Sequence, residues 1–91
     1  MTNNSQTLLL SQRVNSFDNL LECIGWGSEF TVKYKGRTYL LSDCAYLGGW
    51  QVLCDQDDED PQSYADEEEF AERATLHGDL LRDIWDKLVL A

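Results

Sequence analysis

Along this chain the hydrophobic residues change period several times, and each change marks an element. Phe17, Leu20, Leu21 and Ile24 recur at helical spacing and share one face of a short helix. Ser16 stands where an N-cap hydroxyl is wanted, and Gly25 and Gly27, on either side of Trp26, end the run. From Glu29 the period drops to two. Phe30, Val32 and Tyr34 alternate with Thr31, Lys33 and Lys35, and a second strand follows Lys35-Gly36 over Arg37 to Ser42. A two-residue connection containing glycine accommodates the positive φ of a hairpin turn. Pairing Tyr34 with Arg37 sets Val32 opposite Tyr39 and Phe30 opposite Leu41. Both apolar pairs then share a face, as a half-buried hairpin requires.

Gly48-Gly49 marks the next turn. Trp50, Val52 and Cys54 alternate with Gln51 and Leu53 as a third strand. Asp55 to Pro61 is an acidic loop, and Gln62 to Ala65 is either a short fourth strand or the exit of that loop. Asp66 with Glu69 three residues on is a capping-box pattern, opening a helix that carries Phe70, Ala71 and Ala74. Gly78 breaks this helix. Asp79 is then expected to cap a last one, with Leu80, Leu81, Ile84, Trp85 and Leu88 as its buried face, packed on the sheet. Residues 1–15, mostly polar around Leu8, Leu9 and Leu10, read as a flexible N-terminal tail, which leaves 16–91 as a single domain. The expected fold is α+β: a short N-terminal helix, a three- to four-stranded antiparallel sheet, and two C-terminal helices packed on one face.

Composition agrees with a self-sufficient core. The 91 residues include three Trp, four Tyr and three Phe, too many aromatics for a disordered chain. The three cysteines, Cys23, Cys44 and Cys54, are odd in number and show no Cys-x-x-Cys spacing, and His77 is the sole histidine. That pattern argues for reduced thiols in a cytoplasmic protein and against a disulfide framework or a metal set. Nothing before the three leucines is positively charged, and no stretch approaches a membrane-spanning length, so neither export nor membrane insertion is expected.

Charge changes the picture most. The net charge is −10. Residues Asp55 to Asp79 hold eleven acids and one base, Arg73, while the remainder of the chain carries six of each and sums to zero. Direct binding of nucleic acid needs a basic footprint and is therefore not expected. Catalytic readings fail one by one. His77 has no Ser or Cys motif to serve as a base. Asp55, Asp57 and Glu59 alternate like the first half of a calcium loop, but Asp60 falls where a glycine is needed and Asp66 where a bidentate glutamate belongs. Gly48-Gly49 is too short to cradle a phosphate. The carboxylates stand in a charge run rather than among apolar residues that would split their pKa values. No catalytic residue, cofactor or metal is expected.

The acidic run itself has two readings. It is a solvated, solubilising surface whose helix-start acids complement the dipole, or it is a partner-binding surface. The candidate partner-binding residues are Asp57, Asp58, Glu59 and Asp60 in the loop and Asp66, Glu67, Glu68 and Glu69 at the helix start. Four adjacent like charges repel one another and destabilise a fold at low salt, which favours some gain elsewhere. Duplex DNA carries one charge per ~1.7 Å of axis and a helix rises ~1.5 Å per residue, so a folded acidic ridge can match a phosphate backbone in charge density. The expected partner is then the basic surface of a nucleic-acid-binding protein, engaged by a monomer or homodimer of this chain.

The pattern Gly27-x-Glu29-Phe30-x-x-x-Tyr34-x-Gly36-x-x-Tyr39, then Gly49-Trp50, Glu69-Phe70 and Gly78-x-x-Leu81-x-x-Ile84-Trp85, resembles a group of small uncharacterised proteins of Gram-positive bacteria and their phages. The likeness runs from about Phe17 to Leu88, and its motifs are turns and core positions. More locally, Tyr64-x-Asp66-Glu67-Glu68-Glu69-Phe70 with Thr75-Leu76, behind the hairpin beginning Phe30-Thr31-Val32-Lys33, resembles small acidic type II-A anti-CRISPR proteins. Those consist of a helix, a three-stranded antiparallel sheet and two helices. They block a Cas9 nuclease by imitating the duplex it must read. The resemblance implies a Cas nuclease as partner, in the host cytoplasm of a phage-encoded protein. It also implies that Asp66, Glu67, Glu68 and Glu69 meet arginines that otherwise bind the protospacer-adjacent motif. The Asp55 to Asp60 loop and the Gly78 to Leu88 segment have no counterpart in that family.

Overall fold

The computed structural model describes residues 8–91. Its elements in chain order are α1 (Phe17–Gly25), β1 (Phe30–Tyr34), β2 (Arg37–Cys44), β3 (Gly49–Cys54), β4 (Gln62–Tyr64), α2 (Glu67–Arg73), β5 (Thr75–Leu76), β6 (Asp79–Leu80), α3 (Leu81–Ile84) and β7 (Val89–Leu90). Short 3-10 turns occupy Leu10–Gln12, Ala45–Leu47 and Trp85–Lys87. The α+β class is as expected, but the main sheet has five antiparallel strands in the order β4-β3-β2-β1-β7, and β5 and β6 form a second, two-stranded sheet.

The hairpin has the register read from the sequence: Tyr34 pairs with Arg37, Val32 with Tyr39 and Phe30 with Leu41. Lys35 and Gly36 both have positive φ, at 49° and 79°, which is the mirror-image turn whose twist matches the flanking strands. β3 continues the pattern, setting Cys54 beside Tyr39 and Val52 beside Leu41, and β4 sets Tyr64 beside Trp50. One face of the sheet therefore gathers Val32, Tyr39, Leu41, Trp50 and Val52, all buried. The Ser16 hydroxyl accepts from the Asn19 N–H to start α1, whose Leu20, Leu21 and Ile24 join that core. Phe70 of α2 is fully buried there, with its ring centroid 5.1 Å from that of Trp50 and 6.1 Å from that of Tyr64.

Two expectations about the ends need correcting. Residues 8–15 are not a flexible tail. Leu10 and Val14 are core residues, the Leu10 N–H donates to the Leu88 carbonyl at 2.9 Å, and the Leu90 N–H donates to the Leu8 carbonyl at 2.7 Å. The part of that expectation covering residues 1–7 lies outside the described residues. The second correction concerns the C-terminal segment, which is not one capped helix. Asp79 belongs to β6, joined to β5 by a turn in which His77 and Gly78 have φ of 52° and 85°. α3 has only four residues, and its N-cap position, Leu80, makes no side-chain cap. The chain then tightens into a 3-10 turn and leaves as β7, which pairs Leu90 with Val32 and Val89 with Lys33. Leu81, Ile84 and Leu88 are buried as expected, whereas Leu80 and Trp85 are only half-buried. The helical stripe stops before a second turn can carry the Trp85 ring inward. Among the described residues no helix is long and apolar enough to cross a membrane.

Candidate functional site

The acidic loop, residues 55–61, joins β3 to β4 and is tied to the start of β2. The Asp55 N–H donates to the Thr38 carbonyl at 3.0 Å, and Asp55 Oδ1 accepts from the Thr38 N–H at 3.1 Å. Arg37, the first residue of β2, then closes the loop. Its guanidinium forks onto both oxygens of Asp58 and also donates to Glu59 Oε2 at 3.0 Å. Such planar, two-pronged pairs with carboxylate are the stronger kind of ionic hydrogen bond.

Glu59 is the centre of the arrangement. Its Oε2 accepts from the buried Tyr39 hydroxyl at 2.6 Å, its Oε1 accepts from the His77 N–H at 3.2 Å, and His77 Nδ1 lies 3.6 Å from Oε2. Burial by itself would raise the Glu59 pKa. The Tyr39 hydroxyl, the His77 backbone N–H and the Arg37 charge together outweigh burial and hold it below the usual carboxylate range. Asp58 is held low by its hydrogen bonds to Arg37. Burial first, and the Glu59 carboxylate second, keep the Tyr39 phenol protonated well above its ordinary range. Cys54 Sγ also approaches Glu59 Oε2, at 3.8 Å.

This gathering of Tyr39, Cys54, Glu59 and His77 was not legible in the sequence, and it has the residue types of a reactive centre. Its geometry is that of an anchor. Cys54 Sγ and His77 Nδ1 both approach the same Glu59 oxygen, Oε2, which the Tyr39 hydroxyl and Arg37 already bind. Cys23, Cys44 and Cys54 are free thiols. Among the described residues no three His, Cys, Asp or Glu side chains are grouped to hold a metal ion.

The second acidic group opens α2. Asp66 is the N-cap and accepts from the Glu69 N–H at 2.9 Å, while Glu69 Oε1 accepts from the Ala65 N–H at 3.2 Å. These two acids hold the helix, and Glu67 and Glu68 face solvent. The eight candidate residues thus divide by task. Asp58, Glu59, Asp66 and Glu69 have intramolecular partners. Asp57, Asp60, Glu67 and Glu68, together with Glu72, are exposed and form no ion pair among the described residues. Asp79, the last acid of the run, is held at 3.0 Å by Lys35 and accepts from the Tyr34 hydroxyl, the largest of the effects that lower its pKa.

The two clusters are separated along the chain by β4. The loop leaves β3 at Cys54 and enters β4 at Gln62, beside Val52, whereas α2 begins past Tyr64, beside Trp50. They stand at opposite ends of β4, a three-residue strand spanning about 10 Å. α2 runs back along that strand: the Tyr64 hydroxyl donates to the Arg73 carbonyl at 3.2 Å. The Gln62 amide clasps Thr75, donating to its carbonyl at 2.8 Å and accepting from its N–H at 3.0 Å. Glu72, one helical turn beyond Glu68, carries the acidic line back towards the loop. Arg37 and Gln62, which fix this arrangement, were missed. The signal for Arg37 was available: once Tyr39 is set opposite Cys54, Arg37 lies beside the loop that follows Cys54.

The rest of the surface includes two depressions. One, of about 440 Å³, is lined by Arg13, Ser28, Glu29, Phe30, Thr31, Leu90 and Ala91. The other, of about 230 Å³, is lined by Thr31, Thr38, Tyr39, Leu40, Leu53, Cys54 and Asp55. Thr31, Leu40 and Leu53 are cross-strand neighbours on the sheet face opposite the core. Compared with known proteins, the chain matches no family model, no curated protein and no solved structure.

Proposed function

We propose that the chain is a non-catalytic, acidic binding protein that occupies the basic, nucleic-acid-binding surface of another protein. The observation that carries this reading is the division among the acids. Five of them, Asp57, Asp60, Glu67, Glu68 and Glu72, are exposed along the edge formed by β4 and α2 and form no ion pair among the described residues. The others brace the elements that present them. A loop clamped by Arg37 and a helix capped by Asp66 hold their charges in place before any partner arrives, which lowers the ordering cost of binding. The partner favoured by the resemblance to acidic anti-CRISPR proteins is a Cas9-type nuclease, met in the cytoplasm, where the acids stand in for duplex phosphates.

The test is a variant that neutralises only the unpaired acids: Asp57→Asn, Asp60→Asn, Glu67→Gln, Glu68→Gln and Glu72→Gln. It keeps the clamp and the cap, so folding is expected to be retained. Its affinity for a guide-loaded type II-A nuclease, and its competition with target duplex, are expected to be lost. Unchanged affinity would sink the proposal.

A second reading has its own observation. Leu40 and Leu53, cross-strand partners on the face away from the core, are half-buried and border the 230 Å³ depression. On that reading the chain is an accessory or regulatory interaction domain docking through this face, and its acids only keep it soluble. Leu53→Asp separates the two: it abolishes an apolar contact there and leaves charge-driven binding intact.

A further inference from the structure

Two large aromatic side chains stand outside the core. Trp26 is 78% exposed and Tyr46 is 98% exposed, whereas Trp50 is 6% exposed. Both lie at the end of the sheet where Trp50 sits. Gly25, next to Trp26, abuts the Trp50 ring so closely that a Cβ there would stand 3.6 Å from it. Tyr46 lies in the turn between β2 and β3, which closes over the Cys44–Gly49 pair, one residue from Trp50. The acidic start of α2 is at the same end. Gly49, with φ of 107°, lets the β3 backbone reach the Tyr64 carbonyl, which a Cβ would meet at 2.8 Å, and Asp66 follows two residues later. Trp26 is on a hydrogen-bonded helix end. The Trp26 N–H donates to the Glu22 carbonyl, and Gly27 and Ser28 close the α1 terminus on Ile24 and Cys23, all at 3.0 Å.

Solvent-facing Trp and Tyr are the residues most enriched among the anchors of protein interfaces, and arginine is the third. The charge beside them selects the occupant. We infer that Trp26 and Tyr46 are the aromatic anchor of the acidic interface, and that they receive arginine side chains from the partner. This inference rests on the acidic-binding reading and names its partner chemistry. A guanidinium is planar and weakly hydrated, so it stacks on an indole or phenol ring while its edge N–H groups bind carboxylates. A lysine ammonium is compact and strongly hydrated and gains less from the rings. The acids alone attract either cation. The rings add a preference for arginine.

The experiment uses the intact protein with two probes of equal charge, nona-arginine and nona-lysine peptides, titrated calorimetrically at low and physiological salt. Nona-arginine is expected to bind about tenfold more tightly. Since paired carboxylates also favour a guanidinium, the deciding variant is W26A/Y46A. It is expected to lose about tenfold in affinity for nona-arginine and to keep its affinity for nona-lysine. Both side chains are exposed, so this variant keeps the fold, and W26F/Y46F, which retains two rings, is expected to restore most of the preference. If W26A/Y46A binds both peptides as the parent does, the aromatic anchor is overturned while the acidic reading stands. If neither peptide binds the parent protein, the acidic reading falls and the inference falls with it.

Discussion

At the scale of single residues, the carboxylate that matters most to the fold is Glu59. It is 21% exposed at its side chain and receives hydrogen bonds from Arg37, Tyr39 and the His77 backbone. Glu59→Gln keeps an acceptor for Tyr39 but removes the charge that Arg37 faces. Hydrogen bonds to a charged group contribute about 1.5–3 kcal/mol each and neutral ones about 1 kcal/mol, so a loss of about 1–3 kcal/mol is expected, read as a lower urea midpoint. The pH dependence has a definite sign. Glu59, Asp58 and Asp79 all have folded pKa values depressed below their ordinary ones. The stability they contribute is present above the unfolded carboxylate range, at about pH 4, and is lost as pH falls through the folded values. Glu59→Gln is expected to flatten the acid limb of the stability curve, measured by chemical denaturation between pH 7 and pH 3. An unaltered acid limb would mean that the clamp does not couple to folding.

At the scale of elements, legibility in the sequence followed the range of the interactions. The β1–β2 register was readable pair by pair because a two-residue turn and one apolar face over-determine it. α1 and α2 were readable from caps, since Ser16 and Asp66 each act within three residues. The segment after Arg73 was not. Leu80, Leu81, Ile84, Trp85 and Leu88 have helical spacing, but that spacing is also met by a two-stranded turn, one helical turn and a strand. What decides between them is distant: the free edge of β1 takes Val89 and Leu90, and the Leu8–Leu10 backbone closes on them from the other side. The acidic residues were legible as a set, and their division into braces and exposed charges was not, because it depends on Arg37 some 20 positions away in sequence. Two substitutions test these long-range contacts. Leu10→Ala is expected to cost about 2–5 kcal/mol in thermal or urea unfolding, since Leu10 is fully buried, whereas a tail residue would cost nothing measurable. Gln62→Ala strands the Thr75 N–H and carbonyl that the amide now satisfies, so about 1–3 kcal/mol is expected, with faster amide exchange confined to β5, β6 and the end of α2.

At the scale of the whole molecule, stability and binding should respond to salt in opposite directions. The net charge of −10 is confined to one stretch, and its unpaired acids repel one another along the β4–α2 edge. Screening relieves that repulsion, because the Debye length falls from about 30 Å at 0.01 M salt to about 8 Å at 0.15 M. The melting temperature of the parent protein is therefore expected to rise over that interval. Screening of the partially buried Arg37–Glu59 pair works against this rise only weakly, since screening acts mainly on exposed charges. Affinity for a basic partner, by contrast, should fall steeply over the same interval, and mainly through a slower association rate. The variant lacking the five unpaired acids carries the argument to its conclusion. It removes half of the net charge without touching the clamp or the caps, so its melting temperature should be higher than the parent's at 0.01 M and nearly independent of salt. Its association with the partner should become slow and lose its salt dependence. Differential scanning fluorimetry and stopped-flow association at the two ionic strengths measure both. A variant whose stability becomes salt-independent while its association rate matches the parent's would show that these acids strain the fold without steering any partner.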